Sequence, residues 1–160
     1  MRSSFRVGIG YDIHRFGEGR VLRLGGVEIE HHTGLVGHSD ADVVLHAVTD
    51  ALLGAAGLPD IGDLFPDTDP AYTSIDSGKL LQTAMDRVRE AGFKPANIDV
   101  IVHAEAPRMA PYKRRMAESI ASLTGLSPEN VAVKAKTNEG LGPIGQGEAI
   151  ACTAVACVVR

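Results

Sequence analysis

Large apolar residues alternate with small or polar residues through positions 5–14, a pattern that predicts a β-strand. One face of this strand carries the apolar side chains: Val7, Ile9, Tyr11 and Ile13. The other face carries two glycines followed by two potential ligands: Gly8, Gly10, Asp12 and His14. The apolar residues are typical of a buried strand face. The glycines leave the second face open to close approach by another group.

Helical and strand periodicities follow one another along the rest of the chain. Helices are predicted at residues 41–56, 76–91 and about 111–123. A hairpin turning at Gly25 and Gly26 is predicted within residues 20–30, and further strands at 96–106, 130–137 and 149–159. The last strand is apolar on both faces, which indicates a central position or an interface. These elements predict one α/β (α+β) domain over residues 1–160, with helices covering one face of a sheet of four to five strands.

Composition and charge narrow the classes of partner. The chain of 160 residues has a net charge of −4 at pH 7, an aromatic content of 4% and no tryptophan. We therefore expect neither nucleic acid nor an anionic membrane as a partner. The N-terminal residues form no long apolar run, so we expect neither a signal peptide nor a membrane anchor, and a cytoplasmic location. Cys152 and Cys157 fit free thiols in a reducing compartment.

Asp12, His14 and His46 are candidate metal ligands. Asp12 and His14 point the same way from one strand, so their ligand atoms can converge on one point. Two histidines and one carboxylate fill three positions of a tetrahedron and leave the fourth open, as in catalytic zinc sites. The alternative is a solvated strand end beside an unrelated polar stripe on the helix.

The helix predicted at 41–56 carries His46 on a polar stripe that is expected to face away from the apolar core. Ser39 or Asp40 is expected to cap the start of this helix. Asp42 and Asp50 lie one turn on either side of His46, and we expect them to orient its second ring nitrogen.

Turn-rich segments contribute further polar groups. Four aspartates in residues 58–70 lack the order of a calcium-binding EF-hand loop and suit either turns or a polar substrate pocket. The strand end at 134–137 opens into a glycine-rich loop at 138–148, whose backbone N–H groups suit phosphate. The basic residues within 108–115 either bind phosphate or form a solvated helix face. The consecutive residues 38–40, His-Ser-Asp, are not interpreted as a catalytic triad, because sequence neighbours rarely converge on one point.

Several motifs occur together in one order and spacing: GYDIHRF, GGVEI, GHSDADVVLHAVTDALLGAAGLPDIGDLFPDTDP, AEAPRMAP, VKAKTNEGLG and GQGEAIA. In this respect the chain closely resembles the 2-C-methyl-D-erythritol 2,4-cyclodiphosphate synthases of the non-mevalonate isoprenoid pathway, in their monofunctional form. The likeness runs nearly from end to end.

The resemblance implies a homotrimer with active sites at subunit interfaces and helices outside the inner sheets. It implies a phosphorus–oxygen lyase that converts 4-diphosphocytidyl-2-C-methyl-D-erythritol 2-phosphate into the cyclic diphosphate and releases CMP. Zinc is then held by Asp12, His14 and His46, and a second divalent ion, magnesium or manganese, by Glu139. His38 and Thr137 match residues that stabilise the transition state.

The resemblance also implies two groups of substrate-binding residues. The methylerythritol phosphate side comprises Ser39, Asp60, Ile61, Gly62, Phe65, Pro66, Asp67, Thr68 and Asp69, and further substrate-binding residues are Asp12, His14 and His38. The cytidine and phosphate side comprises the stretch AEAPRMA and a strand end: Ala104, Glu105, Ala106, Pro107, Arg108, Met109, Ala110, Ala135, Lys136 and Thr137.

The chain departs from the family pattern at Pro143 and Gln146, where relatives often have phenylalanine and arginine. The arginines can hold an isoprenoid diphosphate at the trimer axis, and glutamine makes no charged bidentate contact with phosphate. We therefore expect this regulatory binding to be absent here. Two other functions stay open from the residues: a zinc-dependent nucleotide phosphodiesterase that uses metal-bound hydroxide, and a non-catalytic trimeric module that captures isoprenoid diphosphate.

Overall fold

A five-stranded mixed sheet organises the computed structural model, which describes residues 4–160. The strands are β1 (Phe5–Gly17), β2 (Leu22–Leu24), β3 (Val27–Ile29), β4 (Gly34–Leu35), β5 (Lys94–His103), β6 (Val131–Lys136) and β7 (Ala149–Val159). The sheet order is β4-β1-β7-β5-β6, and β2 pairs with β3 in a separate hairpin. Only β5 and β6 run parallel to each other; the other pairs in the described residues are antiparallel.

Helices lie in three of the six connections between the described strands, those after β4, β5 and β6. They are α1 (Val43–Ala56), α2 (Ile61–Leu64), α3 (Ser77–Glu90), α4 (Lys113–Thr124) and α5 (Gly142–Gly145), with short 3₁₀ turns at Pro70–Tyr72 and Pro128–Asn130. In the described part of the chain, none of these helices combines the length and apolarity needed to cross a membrane.

Most predicted elements are confirmed. The hairpin turns at Gly25 and Gly26, both with positive φ angles that glycine adopts readily, and β7 occupies the centre of the sheet. The strand predicted at 96–106 spans Lys94–His103 instead, because the chain leaves the sheet before Pro107. Two segments predicted as loops contain the single-turn helices α2 and α5, and β4 was not anticipated.

Helix α1 lies directly on the glycine face of β1. A Cβ atom at Gly10 would lie 1.9 Å from the Ala47 carbonyl oxygen, and one at Gly8 would lie 2.0 Å from the Ala51 carbonyl oxygen. The group that approaches these glycines is therefore the backbone of a helix. This contact fixes α1 against the strand that carries Asp12 and His14, and α1 carries His46.

The apolar face of β1 is exposed, so the prediction that it is buried within the chain is wrong. Phe5 is 72% exposed and Ile9 is 70% exposed, and the stripe continues through Val7, Tyr11 and Ile13. The core instead lies on the opposite side of the sheet, where α1 covers β1 and β7, and α4 covers β6. Helices therefore cover one face of the sheet, as predicted.

Candidate metal centre and substrate clefts

Asp12, His14 and His46 bring three ligand atoms together between β1 and α1. Asp12 Oδ2 lies 2.9 Å from His14 Nε2 and 2.9 Å from His46 Nδ1, and the two ring nitrogens are 3.4 Å apart. The alternation of β1 places Asp12 and His14 on the face that α1 covers, and the glycine contact brings His46 to them. The predicted convergence of these three side chains is confirmed.

The orientation of His14 is set from outside the cluster. Its Nδ1 donates a hydrogen bond of 2.8 Å to the carbonyl oxygen of Val36, which leaves Nε2 facing Asp12 and His46. Burial lowers the pKa of His14, but the hydrogen bond to Asp12 and its negative charge outweigh burial and raise the pKa above 6.5.

Asp12 is held in its ionised form by the two histidines. Burial alone would raise the pKa of Asp12, but the hydrogen bonds and positive charge of His14 and His46 lower it to about 2. Asp12 also accepts a hydrogen bond of 2.9 Å from the backbone N–H of Ile13. The cluster therefore favours a carboxylate that is ready to bind a cation.

The three ligand atoms fit a divalent metal ion of the zinc type. With zinc–ligand bonds of about 2.0–2.1 Å, neighbouring ligand atoms of a tetrahedron lie about 3.3 Å apart. The distances of 2.9, 2.9 and 3.4 Å are close to that value. Nitrogen and carboxylate oxygen are both ligands that zinc accepts, and three protein ligands leave one tetrahedral position for another molecule.

The expected support of His46 by Asp42 and Asp50 is wrong. Its Nε2 atom lies 2.9 Å from Ser77 Oγ and 3.1 Å from Ser39 Oγ instead. Asp50 accepts a hydrogen bond from the backbone N–H of Ile61 at the start of α2. Burial, first of all, raises the pKa of Asp50 above its usual 3.8 despite that hydrogen bond.

Asp42, rather than Ser39 or Asp40, caps α1. Its carboxylate accepts the N–H of Leu45 at 3.0 Å, and it also accepts the N–H groups of Gly25 at 2.8 Å and Gly26 at 2.7 Å. The side chain is fully buried, and burial raises its pKa against the lowering effect of these three bonds. Asp42 therefore ties the start of the metal-binding helix to the β2–β3 hairpin.

A cleft of about 240 Å³ opens beside the candidate metal ligands. It is lined by five residues of the predicted methylerythritol phosphate side and by three further predicted substrate-binding residues. The five are Ser39, Ile61, Gly62, Phe65 and Asp67, and the three are Asp12, His14 and His38. The side chain of His38 is 71% exposed, with its Nε2 3.7 Å from Asp67 Oδ2, so it is free to reach a bound molecule.

Four predicted residues of this group lie outside the cleft lining: Asp60, Pro66, Thr68 and Asp69. Asp60 caps α2 by accepting the N–H of Asp63, and Asp69 accepts the N–H of Ala71 at the start of a 3₁₀ turn. The structure thus gives two of these aspartates a role in turn formation, and their role in substrate binding stays a prediction.

A second cleft, of about 150 Å³, lies at the ends of β5 and β6. All predicted residues of the cytidine side except Ala106 line it: Ala104, Glu105, Pro107, Arg108, Met109, Ala110, Ala135, Lys136 and Thr137. Glu139 lies two residues after Thr137. Its carboxylate accepts a hydrogen bond of 3.3 Å from the Thr137 hydroxyl, and its backbone N–H donates one of 3.3 Å to the same hydroxyl. Glu139 belongs to no cluster of potential metal ligands among residues 4–160.

The two clefts lie at the same end of the sheet but on different strands. Asp12 pairs with Cys152, Cys152 with Val102, and Val102 with Ala135. This register makes β1 and β6 level with each other but three strands apart, or about 14 Å at the usual strand spacing. The two clefts share no lining residue.

Two residues hold the loops around these clefts: Arg20, which sequence reasoning missed, and Glu105, which lies within the predicted cytidine side. Arg20 donates to the carbonyl oxygens of Gly37 at 3.0 Å and Ser39 at 2.7 Å, on either side of His38. Glu105 accepts the N–H of Asn138 at 2.6 Å and so ties the loop before Glu139 to the end of β5. Arg20 carried no sequence signal, because a single arginine in a turn is common on protein surfaces.

Fold and site together define a small mixed α/β protein with a candidate divalent-metal centre between a strand and a helix. The chain belongs to the YgbB family, whose sequence pattern matches residues 5–159. It is 58% identical over 160 residues to a 2-C-methyl-D-erythritol 2,4-cyclodiphosphate synthase of Bordetella petrii, and the matched region covers 100% of this chain and 99% of the relative. The family resemblance noted from the motifs is therefore confirmed.

Solved structures show the same fold. The bifunctional IspDF of Campylobacter jejuni matches with a TM-score of 0.95 and 44% identity, over 99% of this chain and 43% of that longer chain. IspF of Plasmodium falciparum, solved as a CDP complex, matches with a TM-score of 0.85 and 32% identity, over 100% of this chain and 99% of that one.

Proposed function

We propose that this protein cyclises 4-diphosphocytidyl-2-C-methyl-D-erythritol 2-phosphate to 2-C-methyl-D-erythritol 2,4-cyclodiphosphate and releases CMP, as a phosphorus–oxygen lyase. The observation that carries the proposal is the convergence of Asp12, His14 and His46 beside an open cleft, in a chain that is similar over its whole length to named synthases. The substrate class agrees with the CDP complex of the similar Plasmodium falciparum protein.

The reaction needs no protein nucleophile. An oxygen of the substrate's own 2-phosphate forms a new bond to the β-phosphorus, and the bond from that phosphorus to the oxygen bridging to the α-phosphate breaks. CMP leaves with the bridging oxygen, and no water is consumed. Because the attack is intramolecular, a well-aligned substrate conformation can lower the barrier by up to about 7–11 kcal/mol.

The main obstacle is repulsion between phosphate groups. Asp12, His14 and His46 would hold a divalent ion, which would supply positive charge against the phosphate oxygens. Asp12 and the two histidines hold their ligand atoms in place through Val36, Ser77 and the packing of α1 on β1. His38 would donate a hydrogen bond to a phosphate oxygen, which its exposure in the cleft supports.

The second cleft is assigned to the cytidine and its phosphates. Arg108 and Lys136 supply positive charge there, and Thr137 supplies a hydroxyl donor. Glu139 is the proposed ligand for a magnesium or manganese ion that also binds the substrate phosphates. Magnesium is commonly bound by one or two protein carboxylates together with substrate phosphates. A single carboxylate, that of Glu139, is therefore enough to hold such an ion once the substrate is bound.

We assign the exposed apolar stripe of β1 to a homotrimer interface. Its five side chains, with Val155 of β7, form an uncovered apolar surface that water would otherwise contact: Phe5, Val7, Ile9, Tyr11 and Ile13. Sheet-to-sheet packing of copies would bury this surface and leave the helices outside. It would also bring the metal cleft of one copy near the nucleotide cleft of the next, which removes the separation of about 14 Å within one chain.

The remaining assignments follow from this reading. The proposed location is cytoplasmic, and the proposed partners are the nucleotide-linked substrate and two further copies of the chain. Pro143 and Gln146 lie in and just after α5, and the expected lack of isoprenoid diphosphate binding stays a prediction.

Product analysis in ¹⁸O-labelled water tests the reaction. With zinc and magnesium present, the purified protein should release CMP and the cyclic diphosphate, and neither product should carry solvent oxygen. A linear methylerythritol bisphosphate containing ¹⁸O would instead establish the zinc phosphodiesterase, which attacks with metal-bound hydroxide. Tight binding of isoprenoid diphosphate without any turnover would establish the non-catalytic module.

A further inference from the structure

The imidazole of His46 is bonded on the side that faces away from Asp12. Its Nε2 atom lies 2.9 Å from Ser77 Oγ, and Ser77 is completely buried at the start of α3. The Ser77 hydroxyl forms a short hydrogen bond with Asp40 Oδ1, and the Ser77 backbone N–H donates to Asp40 Oδ2 at 3.1 Å. A chain of hydrogen bonds thus runs from Asp40 through Ser77 to His46.

The direction of these hydrogen bonds is fixed by the number of hydrogens available. A carboxylate only accepts, so the one hydrogen of the Ser77 hydroxyl points to Asp40. Ser77 is left with lone pairs for His46, and the hydrogen between them therefore belongs to His46 Nε2. Without a metal ion, His46 Nδ1 is hydrogen-bonded to Asp12, 2.9 Å away. When a cation takes the place of the proton between them, an imidazole that keeps its hydrogen on Nε2 would offer the cation the lone pair of Nδ1.

We propose that Ser77, held by Asp40, is a positioning residue that selects the metal-binding tautomer of His46 and fixes the orientation of its ring. This inference rests on the proposed metal centre and adds two residues to it that do not contact the ion. Ser77 would act on the ion through His46, and Asp40 through Ser77, although Asp40 Oδ1 also accepts the backbone N–H of Asp42 at 3.1 Å.

Other groups near His46 do not replace this arrangement. Ser39 Oγ lies 3.1 Å from His46 Nε2, farther than Ser77 Oγ, and it also accepts the N–H of Ala41. Ser39 is therefore the weaker partner of this nitrogen. Asp42 and Asp50 are committed to backbone N–H groups elsewhere. Ser39 does, however, supply an alternative acceptor, so loss of Ser77 is expected to fall at the lower end of the usual range for such residues.

Zinc affinity of the full-length chain tests the proposal, measured by competition with a chromogenic chelator. Loss of an outer partner of a ligating histidine costs about 10–100-fold in metal affinity, so Ser77→Ala should bind zinc about tenfold more weakly than the wild type. Ser77→Thr, which keeps the hydroxyl, should bind zinc with nearly the affinity of the wild type. Ser77→Val has the same shape as Ser77→Thr but no hydroxyl, and it should bind zinc as weakly as Ser77→Ala.

Asp76→Ala is the matched control. Asp76 caps the same end of α3 through the N–H of Gly78 but does not contact His46, so its loss should lower the melting temperature and leave zinc affinity unchanged. Equal zinc affinity in Ser77→Ala and the wild type, or an equal loss in Asp76→Ala, would overturn the proposal while the metal centre stands. Failure of the wild type to bind zinc would instead refute the metal centre itself. Asp40→Asn, which places an amide nitrogen against the Ser77 N–H, should weaken zinc binding too and gives a second test if Ser77→Ala does not fold.

Discussion

The contact between α1 and the glycines of β1 makes the substitution Gly10→Ala a sensitive probe of the whole site. The added methyl group would lie 1.9 Å from the Ala47 carbonyl oxygen and 2.9 Å from the Ala51 nitrogen. Both neighbours are helix backbone, so no side chain can rotate away. To restore an ordinary van der Waals contact, α1 must move away from β1 by about 1.5 Å.

The expected cost is large because the strain falls on two backbones at once. Overpacking of a buried site costs about 1–3 kcal/mol, and rigid neighbours place Gly10→Ala near the upper value. For a chain of this length, a loss of about 3 kcal/mol corresponds to a melting temperature lower by roughly 6–12 °C. Because α1 carries His46 and β1 carries Asp12 and His14, the same movement separates the ligand atoms and weakens zinc binding.

Differential scanning calorimetry and zinc titration check both effects. Gly54→Ala is the control, since a Cβ at this exposed position of α1 meets nothing within 4 Å. Alanine is the better helix former, so Gly54→Ala should raise the free energy of unfolding by about 0.5–1 kcal/mol and leave zinc affinity unchanged. A Gly10→Ala protein with the melting temperature and zinc affinity of the wild type would refute the proposed close packing.

Three further predictions concern the residues around the site. Asp42→Ala leaves three backbone N–H groups without their acceptor, so chemical denaturation should show a loss of about 3 kcal/mol or more, and a loss no larger than that of Asp76→Ala would contradict it. Arg20→Ala frees the carbonyl groups on either side of His38, so kcat should fall by about tenfold or more with little change in melting temperature. Arg20→Lys should recover only part of kcat, and an unchanged kcat in Arg20→Ala would count against a role of Arg20 in positioning His38. The raised pKa of Asp50 means that the folded state binds the proton of Asp50 more tightly than the unfolded state. The resulting stabilisation is present below about pH 4 and is lost as pH rises through the folded pKa, so metal-free Asp50→Asn should gain stability relative to the wild type as pH rises above about 4. A difference in the free energy of unfolding that does not change with pH would contradict the shift.

The alternation in β1 predicted which side chains share a face, but not which face is buried. Asp12 and His14 were correctly placed together because the period of a strand is fixed by its backbone. The burial of the two faces was assigned wrongly because hydropathy gives weight to Ile9 and Tyr11 and none to Gly8. In the fold, the glycines matter more, since only a face without side chains admits a helix at this distance.

The metal ligands were accessible from sequence, whereas the groups that orient them were not. Two ligands lie within one strand and the third on a strongly patterned helix, so their types and spacing carried a signal. The predicted partners of His46 were wrong because spacing along a helix does not reveal that Asp42 turns to the hairpin. Ser77 lies 31 residues from His46 in sequence, and only the tertiary packing of α3 brings the two together.

The central claim is that one divalent ion is held by Asp12, His14 and His46 with a position left open. Anomalous diffraction at the zinc absorption edge, from crystals grown with zinc, tests it most directly. We expect a single strong peak at this site, about 2.0–2.2 Å from Asp12 Oδ2, His14 Nε2 and His46 Nδ1. A peak at another site, or no peak among these three atoms at saturating zinc, would contradict the account.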